Sequence, residues 1–260
     1  MKKLITILLA LVLSVACLFS FGCAEKQKTV GENGKIIVGV TDYAPMDYLE
    51  DGKWVGFDAE LAEEVFGNLG YTVEFKEIDW DTKIVTLNAG TIDCIWNGMT
   101  VTDELLSNLL LSNVYLQNFQ VAVVRVADMA NYNTTADLAG KKVAVESGSA
   151  AESAIKDISC ELKKANNQNA AVLDVFGNQS DVAIVDYTLA KELVLNPSSE
   201  YFGALAIKEL DFAVEEFAIA FRKSDSKLCW NVNKAIDNLT KSGFVGALAL
   251  KYGIAGQLVG

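Results

Sequence analysis

Two long extended stretches, FQVAVVRVAD (119–128) and FAVEEFAIAFRK (212–223), decide what this chain can fold into. Each lies at the border of a β-α cycle. Ahead of the first, KIIVGV (35–40) reads as a buried strand, short, apolar and β-branched. FDAELAEEVFGNLG (57–70) sets Leu61, Val65, Phe66 and Leu69 on one helix face and stops at Gly70. YTVEFKEI (71–78) alternates like a strand, DTKIVTLNAG (81–90) returns to helical spacing, and TIDCIWNG (91–98) is apolar again. Between the two stretches a second cycle runs through a strand and Gly-Ser loop (137–157), a helix (166–179), the buried strand SDVAIVDY (181–188) and a helix (188–195). Helices over 226–241 and 243–252 finish the chain. This alternation predicts an α/β protein, each unit a mostly parallel sheet flanked by helices. Two cycles entered and left through extended crossings predict two lobes joined by two strands. Such a pair is a hinge, and the cleft between the lobes is the expected binding site.

Ahead of the first cycle, Lys2 and Lys3 precede a long apolar run that ends in small residues and Cys23. Residues 1–22 therefore read as a signal peptide, with Cys23 as the first mature residue of a lipoprotein held on the outer face of a membrane. An uncleaved anchor helix is the alternative, and both readings export the remainder. Residues 23–34 read as a flexible tether. The net charge is −12, and more negative still once the two lysines leave, which argues against nucleic acid as a partner. Cys94, Cys160 and Cys229 show no paired spacing, so neither a disulfide framework nor a metal cluster is expected. Cys94, inside an apolar strand, is expected to be a buried free thiol.

The chain contains no histidine. That absence removes Ser-His-Asp and Cys-His triads, His-ligated zinc and imidazole acid–base chemistry, and leaves carboxylates as the only obvious catalytic acids. Ligands of parallel sheets sit beyond the carboxyl ends of the strands, here 41–48, 79–81 and 96–100. The last of these opens into WNGMTVTDELLSN (96–108), a loop-into-helix corner in which Thr102 is the expected N-cap. Trp96 is expected in the core and Trp54 in a hairpin turn.

GVTDYAPMDYLEDGKWVGFDAELAEEV, AGTIDCIWNGMTVTDE, LAGKKVAVESGSAAE, SDVAIVDYTLAKEL and SGFVGALALKYGI, in this order, resemble the bacterial extracellular solute-binding proteins that deliver polar amino acids to ABC transporters. The resemblance spans 35–255 and implies a two-lobed fold of the periplasmic-binding-protein type II class. It implies one lobe from 35–121 and 216–260 and the other from 122–215. It implies an amino acid gripped in the cleft, with Asp42 at the mouth and Tyr43 and Trp80 enclosing the guest's side chain. Donors at Asn97, Gly98, Met99 and Thr100 are expected to hold a carboxylate. Glu146, Gly148, Ser149 and Ala150 reach in from the second lobe, and Asp186 accepts the α-ammonium. No catalytic residue, cofactor or metal is implied, and the partners are the ligand, the permease subunits and the membrane.

Two positions depart from the family. Leu105 stands where an arginine usually forks onto the α-carboxylate, and Ala150 stands where a hydroxyl is common. Arg125 and Arg222 are the only arginines in the chain, and neither falls in an expected strand-end loop. An acidic, aromatic, arginine-free cleft predicts a guest with positive character: a basic amino acid or related amine. Alternatives are a ligand-sensing receptor domain, or a lyase resembling arogenate or prephenate dehydratases with Glu146 or Asp186 as general acid. Asp186 also reads as a plain helix cap, and Glu146 as a solvent-facing loop-edge residue.

Overall fold

In chain order the first lobe holds β1 (Lys35–Val40), the hairpin β2 (Tyr48–Glu50) and β3 (Lys53–Val55), α1 (Phe57–Asn68), β4 (Thr72–Glu77), α2 (Lys83–Asn88), β5 (Cys94–Ile95), α3 (Asp103–Asn108) and β6 (Leu110–Leu111). β7 (Leu116–Arg125) then crosses to a second lobe of β8 (Lys142–Glu146), α4 (Ala150–Ala154), β9 (Glu161–Ala165), α5 (Gln168–Phe176), β10 (Val182–Asp186), α6 (Tyr187–Leu195) and β11 (Leu205–Lys208). β12 (Val214–Phe217) returns to β13 (Ala220–Phe221), and α7 (Ser226–Lys241) and α8 (Phe244–Lys251) pack back on the first lobe. This computed structural model describes residues 30–259, so the signal segment and Cys23 lie outside the described residues.

The first sheet has the order β4-β1-β5-β13-β6 and the second β11-β7-β10-β8-β9. In each, the three strands legible as apolar or alternating runs, or their neighbour, form a parallel set: β4, β1 and β5, then β9, β8 and β10. The strands that cross between the lobes or lie beside the crossings add antiparallel pairs, so both sheets are mixed. β7 and β12 pair antiparallel from Phe119 with Val214 to Leu116 with Phe217, which makes the crossing a two-stranded ribbon. The lobe boundaries expected at 121/122 and 215/216 fall inside these two strands.

Burial follows the sequence pattern. Ile36, Val38 and Val40 pack under Leu61, Val65 and Phe66 of α1, while Ile92 and Ile95 meet Leu87 of α2 in a separate cluster. β10 is buried on both faces, Ala183 and Val185 toward one cluster and Val182 and Ile184 toward another, as a central strand requires. Trp96 is fully buried, edge-on to Phe66 and Tyr115. Cys94 is a buried free thiol, and burial pushes its ionisation up.

Three edge strands are absent from the sequence reading, of which β6 is only two residues long. β9 (ELKKA) and β11 (LAIK) are edge strands, and β9 carries two lysines, a composition that protects an edge from further pairing and hides its strand character. The apolar run 91–98 pairs only at Cys94–Ile95, because the chain leaves the sheet there to form the loop that lines the cleft.

Candidate functional site

The parallel strands of both lobes end at one cavity of about 340 Å³. Tyr43 follows β1. Trp80 opens a short 3-10 turn after β4 that Asp79 caps by accepting from the Asp81 N–H at 3.1 Å. Asn97, Gly98, Met99 and Thr100 follow β5, Glu146 ends β8, Gly148 and Ser149 lead into α4 with Ala150, and Asp186 ends β10. All of these line the cavity. Asp42 does not. It is half-buried at the seam between the lobes, where its carbonyl and Oδ2 accept from Asn169 Nδ2 at 3.0 and 3.2 Å.

Asp186 is the most heavily supported acid. Its Oδ1 accepts from Asn118 Nδ2 (2.5 Å) and Gln120 Nε2 (2.8 Å), and its Oδ2 from Gln168 Nε2 (2.6 Å). Burial nevertheless raises its pKa, because no cation balances it. The helix-cap alternative is not what the side chain does: Asp186 precedes α6 without capping it. The buried Tyr43 hydroxyl lies beside this carboxylate, which together with burial pushes the phenol's ionisation well up.

Glu146 is 3% exposed, and its Oε1 has no hydrogen-bond partner among the described residues. Burial first, and the Asp186 charge second, push its pKa to about 8, against the pull of Lys83. Glu146 therefore sits at the cavity rather than facing solvent.

Three of the donors expected to hold a ligand carboxylate are engaged by protein carboxylates. Gly98 N–H donates to Asp58 Oδ2 at 2.7 Å, Asn97 Nδ2 to Asp47 Oδ2 at 2.7 Å, and Thr100 Oγ1 to Glu215 Oε2 at 2.9 Å. Asn97 Oδ1 in turn accepts from the Thr41 N–H and hydroxyl at 2.8 and 2.7 Å. Burial drives Asp58 to about 7 although Tyr115 and Gly98 donate to it, and pushes its neighbour Asp47 well above the usual carboxylate range. Glu215, on β12, also accepts from Gln120 at 2.9 Å and rises to about 7 through burial and the Asp186 charge.

Glu215, Gln120, Asn118 and Gln168 are absent from the sequence reading, although strand alternation offered a signal for the first three. Glu215 shares a face with the buried Phe217, and Asn118 and Gln120 share the inward face of β7.

Neither arginine reaches the cavity. Arg222 donates to the Leu87 and Ile92 carbonyls and pairs with Asp93 and Asp225, and Arg125 pairs with Asp128. Leu105 does line it, buried. The cleft is nonetheless not free of cations, because Lys83 and Lys156 line it as well. Lys83 Nζ bridges the lobes, donating to the Trp80 carbonyl (3.1 Å) and the Gly148 carbonyl (2.8 Å) and lying 4.8 Å from the centre of the Trp80 ring.

That bridge sits at a tight seam. A Cβ on Gly148 would come within 2.8 Å of Asp81 Cα, and Gly148 holds φ +70°, a region that side chains disfavour. Gly148→Ala should therefore wedge the lobes apart while each lobe keeps its fold. The expected result is a loss of ligand affinity of about tenfold or more, since the backbone clash with Asp81 opposes only the closed state. Calorimetry for affinity and small-angle scattering for the closed fraction check it.

Two lobes on a two-stranded ribbon, with aromatic rings, buried carboxylates and bridging contacts at the seam, define a protein that closes over a small polar guest. Residues 36–255 match the family described as bacterial extracellular solute-binding proteins, family 3, and the chain belongs to that family. It is 29% identical to the arginine-binding extracellular protein ArtP of Bacillus subtilis (strain 168), over 97% of this chain and 98% of that one. It is 30% identical to a probable histidine-binding protein of Campylobacter jejuni, over 97% and 99%. Among solved structures, an ancestral arginine-binding protein bound to arginine superposes with a TM-score of 0.77 at 32% identity, over 84% of this chain and 98% of that one.

Proposed function

We propose that the chain is the extracytoplasmic binding component of an ABC importer for amino acids, and that its guest is a basic amino acid or related cationic amine. The observation that carries the choice of guest is the pair of buried acids at the cavity, Asp186 and Glu146, of which Glu146 keeps an oxygen without a partner. Burying an uncompensated carboxylate is costly, and a guest cation is what offsets it. Tyr43 and Trp80 add two faces suited to an alkyl chain or a planar cation. The relatives described as arginine-binding and histidine-binding support the same class.

In this reading Tyr43, Trp80, Glu146 and Asp186 contact the guest, Asp42 and Gly148 serve the seam, and Asn97, Gly98 and Thr100 shape the wall from behind. The permease subunits are the protein partner. Lipid on Cys23 holds the protein at the membrane, and the mass of the mature chain, raised by a diacylglyceryl group, tests that element.

Calorimetric titration with L-arginine, L-lysine, L-ornithine, L-histidine and polyamines, beside L-glutamate and L-aspartate, tests the guest. Tight binding of a basic member is the expected result, and tight binding of an acidic amino acid alone overturns it. A second reading, a lyase acting on prephenate or arogenate, is favoured by one observation: a pKa of about 8 keeps Glu146 protonated at neutral pH, as a general acid needs. Appearance of aromatic product on incubation with either compound would establish it.

A further inference from the structure

An amino acid brings a carboxylate as well as its cations, and three of the side-chain and backbone donors nearest to hand are already engaged. The Gly98 N–H, the Asn97 amide and the Thr100 hydroxyl already serve Asp58, Asp47 and Glu215. Leu105 contributes only methyls. Among the described residues two cations line the cavity, Lys83 and Lys156. Lys83 donates to two carbonyls and sits on the Trp80 ring, an arrangement that holds the lobes together and leaves its ammonium already engaged.

Lys156 differs on each count. It stands just past α4, and Ser149, Ser153 and Lys156 follow one another at spacings of four and three, so they share one side of that turn. All three line the cavity, together with Thr102 and Leu105 of the first lobe. No ion pair or hydrogen bond engages the Lys156 ammonium among the described residues, and its stem is exposed, so the head is free to swing over the cavity.

We propose that Lys156, delivered from the second lobe with the Ser149 and Ser153 hydroxyls beside it, receives the ligand's α-carboxylate in this protein. The proposal rests on the amino-acid reading above and deepens it. It makes Lys156 a specificity residue: with it the site takes amino acids, and without it the site takes the corresponding amines equally well. Asp103 and Glu104 of α3 also line the cavity and are the groups that compete for the ammonium. A lysine that merely paired with them would help closure of the lobes whatever the guest.

The test separates these roles by using guests that differ only in the carboxylate. L-arginine is compared with agmatine, and L-lysine with cadaverine, on the wild-type protein and on Lys156→Gln, by calorimetry. Lys156→Gln should weaken L-arginine and L-lysine by about tenfold or more, the loss typical of one charge-assisted contact, and leave agmatine and cadaverine unchanged. Adding Leu105→Arg to Lys156→Gln should restore the amino acids and not the amines. Equal losses for amino acid and amine assign Lys156 to closure and overturn the proposal, as does no loss at all or a wild-type preference for the amines. A wild-type protein that binds none of the four probes overturns the basic-guest reading itself, a distinct result that takes this proposal with it. Lys156 is exposed, so an unchanged melting temperature is expected to confirm that the variant is folded.

Discussion

Asp186→Asn should reduce affinity for a basic amino acid by about 100-fold or more while leaving the free protein folded. Three side-chain amides, from Asn118, Gln120 and Gln168, converge on this carboxylate at 2.5–2.8 Å and fix both of its oxygens. They position the charge without cancelling it, since no lysine or arginine pairs with it among the described residues. A guest ammonium supplies the missing charge, and removing one partner of a buried, hydrogen-bonded charge pair typically costs about 2–5 kcal/mol, at about 1.4 kcal/mol per tenfold. The asparagine also turns an NH₂ toward a donor or toward the ammonium, which adds repulsion to the loss. The fold responds differently. Burial raises the pKa of Asp186, so its charged form weighs against the free protein; this offsets the donor that the asparagine leaves unpaired, and the melting temperature should change little. Calorimetry and a thermal melt on the same sample read both effects. Retained affinity would show that the ammonium is received elsewhere.

The elements that bury apolar side chains were legible in the sequence, because burial is what hydrophobic periodicity reports. β1, α1, β4, β10, α7 and α8 fall where their patterns put them, within a residue or two at each end, and α5 within three. Among the edge strands, β9 escaped because its charged composition serves solvent, and β6 and β11 because two to four residues are too short to show a period. For the site, the residue types at the strand ends were readable, yet the partner each donor takes was not. Gly98 is claimed by an aspartate 40 residues away and Thr100 by a glutamate 115 residues away, and a sequence does not reveal which acceptor wins a donor. α2 shows the same limit from the other side. Hydropathy places Val85 inside and Lys83 in solvent, whereas Val85 is 70% exposed and Lys83 8% exposed, because the lysine is drawn to carbonyls on both lobes.

Affinity for L-arginine should climb by up to tenfold per pH unit between pH 6 and 8 and level off above that. Glu146 in the free protein titrates at about 8 in place of its ordinary 4.5, so at pH 6 to 7 it holds a proton that a guest cation must displace. Binding releases that proton, and each unit below the pKa lowers the fraction of the competent carboxylate about tenfold. Glu215, at about 7, does not line the cavity, so the rise from pH 7 to 8 reports Glu146. Glu146→Gln should flatten that upper segment and lower the affinity at pH 8. Stability of the free protein follows with the opposite sign to a salt-bridged acid. The folded state keeps a proton that the unfolded chain gives up, so stability is fullest below about pH 4.5 to 5 on this account. It then falls as pH rises toward 8, by up to about 1.4 kcal/mol per unit for each such group. Asp58, pushed to about 7, works in the same direction. Free protein should therefore melt at a lower temperature at pH 8 than at pH 5.5, Glu146→Gln should recover part of the difference, and saturating L-arginine should recover it in the wild type. An affinity that stays level from pH 6 to 8 would mean that no guest cation meets Glu146, and the acidic floor of the cavity would then need a different occupant.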